Sequence, residues 1–156
     1  LSVLFIFSFL IALTLICKRL KTIQKGKRLL LPLTFGIYSG WLLIATVVNI
    51  AAALVKIKWN GFGIDPQTWA FIILIIALGI TYLVLLNIGN AAFPLPIAWA
   101  YFGIHQFLTS SAGFKGEYRL LQMAAIAGMV VLLVMAVIQL LRNRFSLFPD
   151  MTERTV

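Results

Sequence analysis

The chain has 156 residues, 62% of them hydrophobic and 11% charged, with a net charge of +9. Soluble domains are about 45–50% apolar, so this composition excludes an ordinary water-soluble fold. The charges cluster in short connections beside apolar runs, which excludes a nucleic-acid surface as the origin of the basicity. The single cysteine, Cys17, excludes an internal disulfide and a multi-thiolate metal site within one chain.

No Asp, Glu, Lys or Arg occurs between Arg28 and Lys56, between Asp65 and Lys115, or between Arg119 and Arg142. These gaps have the length of membrane crossings. They predict an all-α, polytopic transmembrane helical bundle of about five spans, forming a single domain over residues 1–156. Span A covers residues 1–17 and opens at Leu1 inside an apolar run, which reads as a span with upstream sequence missing rather than as a signal peptide. A basic loop through Lys18, Arg19, Lys21, Lys25, Lys27 and Arg28 follows.

Span B covers residues 29–55 and, at about 1.5 Å per residue, exceeds the ~30 Å hydrocarbon core, so a tilt or a bend near Pro32 and Gly36 is expected. The connection from Lys56 to Pro66 holds Asn-Gly, two glycines and Asp-Pro, all turn punctuation, with Trp59 placed as an interface aromatic. Span C covers residues 66–87, with Asp65 expected to cap its first turn. An uncharged, breaker-rich turn through Pro94 and Pro96 leads to span D, residues 95–113. Span E covers residues 120–141, and a polar tail, residues 145–156, ends the chain. Nine positive residues lie in the A to B loop and after span E, against four in the B to C and D to E loops. The positive-inside rule places the nine, and the C-terminus, in the cytoplasm.

Span B differs from the rest because it holds Tyr38, Gly40, Trp41, Ala45, Thr46 and Asn49 among aliphatic residues. At about 100° per residue, Tyr38, Trp41, Ala45 and Asn49 share one stripe with Thr46 at its edge. A mid-span Asn is costly in lipid without a hydrogen-bond partner, so the stripe is expected to face the bundle. Helix packing through small and amide-bearing residues would account for it. So would a ligand pocket in which Trp and Tyr supply flat walls and Asn49 and Thr46 fix orientation.

The segment from Ile37 to Asn49, with its Tyr, a Trp three residues on and an Asn eight further, resembles the last helix of the translocator protein family, the tryptophan-rich sensory or TspO/MBR proteins. The string through Trp59-Asn60-Gly61-Phe62-Gly63 resembles a longer bacterial branch with extra C-terminal helices. On this mapping span A is similar to the fourth family helix, span B to the fifth, and spans C to E to the appended part, so about a third of the chain resembles the family core. Ile37 stands where short members carry Pro, and the earlier Trp-rich helices are absent from the sequence. The resemblance implies a bacterial inner-membrane protein that binds a tetrapyrrole or sterol-like ligand, porphyrin or haem among them, in a sensory or transport-type role. It carries over Tyr38, Trp41, Thr46 and Asn49 as ligand-binding residues.

His105, the only histidine, lies in span D, where a neutral imidazole can be an axial ligand or make a polar contact, while a hydrogen bond between helices is the plainer account. Spans C to E offer no pair of carboxylates, and the chain has no nucleophile with a base at helical spacing and no His-carboxylate metal cluster, so no catalytic or metal-ligating residues are assigned and no enzyme is expected. The expected partners are membrane lipids and a hydrophobic small molecule. Two other readings stay open: a structural or accessory subunit, in a homo-oligomer or a larger membrane complex, and a small-molecule transporter. With His105 the one ionisable histidine in the spans, ion coupling has little support.

Overall fold

The computed structural model describes residues 30–111 and 113–147, together with Ser8, Ile11, Ala12 and Leu15, each of which is helical. The rest of span A, Cys17, the basic loop and the tail from residue 148 lie outside the described residues, so their expected roles are not addressed by it. Four α-helices and one 3-10 turn make up the described part, without a strand among those residues.

Helix α1 spans Leu30–Lys56, 27 residues. It runs unbroken through Pro32, which sits in the first turn where a missing N–H leaves no bond unmade. A 3-10 turn at Gly61–Gly63 follows, with the Asn60 side chain accepting from the Phe62 amide at 3.2 Å. Helix α2, Pro66–Ile88, starts as Asp65-Pro66 predicts: the Asp65 carboxylate accepts from the amides of Gln67 at 2.9 Å and Thr68 at 3.4 Å. It stops at Gly89, whose φ of 70° is left-handed and costs glycine no Cβ clash. Helix α3 spans Pro94–Thr109 and α4 spans Arg119–Arg142.

Three of these helices, taken as Pro32–Lys56, Pro66–Ile88 and Arg119–Arg142, are long and apolar enough to cross a membrane. Span D is the exception to the predicted count. It was expected over residues 95–113, but α3 has 16 residues, about 24 Å, short of the ~30 Å core. At Ser110 the backbone turns extended, and the Ser110 hydroxyl accepts from the Gly113 amide at 3.1 Å, which ends the helix early.

The short helix is also the most deeply embedded. It packs chiefly on α4 and then on α1, while α2 packs on α4 and touches α1 little. Ile97 and Tyr101 are fully buried. The Tyr101 ring lies where a Cβ on Gly128 would stand, so glycine at 128 is what admits it, and its hydroxyl donates to the carbonyl of Leu74 across to α2. That bond ties α2, α3 and α4 at one level. Outside this core the helices present apolar surface, including Ile75, Leu83, Met123, Val130 and Val137. Exposed apolar area on that scale is untenable in water and ordinary against lipid.

Candidate functional site

Helix α1 has two unlike faces. Toward α3 and the turn before it, α1 turns Gly36, Gly40, Leu43 and Ile44, all buried. A Cβ on Gly40 would collide with the Phe93 carbonyl and Pro96, and one on Gly36 with Asn90 and Ala92. The backbones therefore meet closely, the use of small residues typical of membrane helices. The opposite face carries Tyr38, 48% exposed, and Trp41, 52% exposed, with Ala45 and Asn49 part-buried along it.

The polar-aromatic stripe thus points away from α2, α3 and α4, while most of span A, which the expected bundle includes, lies outside the described residues. Two effects decide it. The glycines allow a closer approach than Tyr38 and Trp41 could, and Asn49 meets its hydrogen-bond need within its own helix, its Nδ2 donating to the Ala45 carbonyl at 2.8 Å. Thr46, at the edge of the stripe, is buried, its hydroxyl donating to the Leu42 carbonyl at 2.7 Å. Tyr38, Trp41 and Asn49 share one face of α1, and Thr46 lies beside Asn49 but buried.

A second polar constellation lies at the end of the bundle where α1 and α3 begin and α2 and α4 finish. Ile88 to Pro94, the turn between α2 and α3, is buried throughout. A buried turn must find partners for its backbone groups. Asn143 Nδ2 donates to the Gly89 carbonyl at 2.7 Å and to that of Leu147 at 3.1 Å, while Gln139 Nε2 donates to Asn143 Oδ1 at 2.8 Å and to the Gly89 carbonyl at 3.3 Å. The Leu147 carbonyl also accepts from the Ala91 amide at 3.0 Å. Asn90, 1% exposed, donates to the Pro32 carbonyl at 2.8 Å and accepts from the Ala92 amide at 2.9 Å. Four segments are clasped by three amide side chains. Sequence reasoning missed them, although Gln139 and Asn143 stand four apart at the end of an aliphatic run, a spacing that aims two amides the same way.

His105 is part-buried on α3, and its Nδ1 is buried without a hydrogen-bond partner among the described residues. No group of three or more His, Cys, Asp or Glu that could hold a metal ion occurs among the described residues.

A family model described as TSPO-like protein matches residues 1–138. The chain belongs to the TSPO-like family. No curated protein and no solved structure matches it. In this TSPO-like chain the match takes in α1, α2, α3 and most of α4, as the resemblance to a branch with extra C-terminal helices implied. Family membership and the apolar helices together make the chain an integral membrane protein.

Proposed function

We propose that this TSPO-like protein binds a hydrophobic ligand of tetrapyrrole or sterol-like shape against the outward face of α1, in a sensory or transport-type role. The observation that carries the reading is the exposed pair Tyr38 and Trp41, held on the side of α1 that α2, α3 and α4 leave open. Two aromatic rings about one turn apart supply a flat apolar surface, and a large planar ligand gains most from such a surface. Asn49 Nδ2 is engaged by Ala45, which leaves its Oδ1 as an acceptor to orient a polar edge of the ligand. Thr46, one turn from Asn49 at the edge of the same stripe, borders the site.

The same reading places the protein in a bacterial inner membrane with its C-terminal end in the cytoplasm, on the distribution of Lys and Arg between the two ends. Reporter fusions after Val156, active only on one side of the membrane, test that orientation.

For ligand binding, full-length protein is titrated with protoporphyrin while tryptophan fluorescence is followed. Saturable quenching is expected, and Trp41→Phe and Asn49→Ala should each weaken the affinity by about tenfold, the loss of roughly 1.4 kcal/mol of contact. Absence of saturation, or affinities unchanged in both variants, refutes the proposal.

A further inference from the structure

The end of the bundle opposite the amide clasp holds a pocket of about 140 Å³, lined by Gln67 and Ala70 of α2, Leu108 of α3, Leu121 of α4, and Phe114 and Tyr118 of the loop between α3 and α4. A space of that size takes a small apolar group, such as a short length of acyl chain. Its aromatic side is braced: the Phe114 ring stands edge-on to Phe107 at 5.8 Å and to Tyr118 at 4.9 Å.

The surroundings of this apolar pocket are polar in a specific way. Lys115 and Arg119 are exposed and each is next in sequence to a lining aromatic, Phe114 and Tyr118. Glu117 is exposed between them. Asp65 is already committed to the first amides of α2. Lys56 and Lys58 lie exposed at this same end of the bundle, which therefore carries four cations against Asp65 and Glu117. Gln122, next to the lining Leu121, has its Nε2 buried without a partner among the described residues. That nitrogen lies 3.9 Å from where a Cβ on Gly116 would stand, hence against the loop between Phe114 and Tyr118. A desolvated donor of this kind calls for an acceptor.

We propose that this pocket is a binding site for one anionic phospholipid, whose acyl chain enters between Ala70, Leu108 and Leu121 while its phosphate is held by Lys115 and Arg119. The bilayer supplies both parts of such a ligand in one molecule, an apolar chain continuous with an anionic head. The site is separate from the α1 face and does not depend on the ligand proposed there.

The experiment is native mass spectrometry of the full-length protein released from detergent containing equal amounts of phosphatidylglycerol, phosphatidylethanolamine and oleate. Phosphatidylglycerol should be retained preferentially. Lys115→Asn, with a residue that tolerates the positive φ of 49° at that position, and Arg119→Gln should each reduce its retention about fivefold. Glu117→Gln should raise it, and Ala70→Phe, which fills the pocket, should abolish it. Equal retention of the two phospholipids, or weakening by Glu117→Gln, would show a zwitterionic head and overturn the proposal. Retention of oleate alone, or indifference to both Lys115→Asn and Arg119→Gln, overturns it as well. The two cation variants change exposed loop-end residues, so their outcome is not confounded by loss of the fold.

Discussion

Replacing Asn143 by Ala removes the hub of the amide clasp. The side chain makes three hydrogen bonds, to the carbonyls of Gly89 and Leu147 and from Gln139 Nε2. The Gly89 carbonyl keeps Gln139 as a partner at 3.3 Å, so it is weakened rather than orphaned. Leu147 keeps the Ala91 amide. Only the bond to Gly89 reaches another element, the other two each spanning four residues; at about 0.6 to 1.7 kcal/mol per side-chain bond in a membrane protein, the three together suggest a loss of roughly 2–3 kcal/mol. At about 2–4 °C per kcal/mol for a chain of this size, the melting temperature in detergent should fall by about 4–12 °C. The assay is thermal unfolding followed by intrinsic fluorescence, with Thr109→Ala as control, because that hydroxyl is exposed and bonds only to carbonyls of its own helix. A shift of Asn143→Ala no larger than that of the control would refute the reasoning that this amide holds the buried turn.

Gly128→Val puts a branched Cβ into the space of the Tyr101 ring and should cost about 3 kcal/mol or more, read as a large drop in melting temperature or in yield of folded protein. Tyr101→Phe removes only the hydroxyl that bonds Leu74 and should cost about 1–2 kcal/mol, leaving the helical circular dichroism intact. Asp65→Ala removes the cap of α2 and should cost about 1 kcal/mol, recoverable by Asp65→Asn or Asp65→Ser in the same unfolding assay.

The start and end of each described helix were largely legible. Asp65-Pro66, Gly89, Arg119 and Arg142 bound the elements within a residue or two of where the charge gaps and turn residues put them. Those signals are local: a cap, a left-handed glycine and a charge at the membrane surface each act on the nearest few backbone groups. Span D was overextended because Ser110, Ser111 and Gly113 are compatible with an apolar run, and the bond from the Gly113 amide to Ser110 is visible only in three dimensions.

The amino-acid sequence by itself determined that the chain is helical, apolar and bound for a membrane, since hydropathy and charge spacing need no tertiary information. Tertiary structure decided which way α1 faces, that α3 is a short buried helix, and that Asn90, Gln139 and Asn143 serve one turn. The reason is physical. A helix's orientation follows from which of its faces lets another backbone come close, and Gly36 and Gly40 outcompete an aromatic stripe on the other side. A buried turn follows from donors supplied 50 residues or more along the chain, as by Gln139 and Asn143 to Gly89, and no local pattern records that distance.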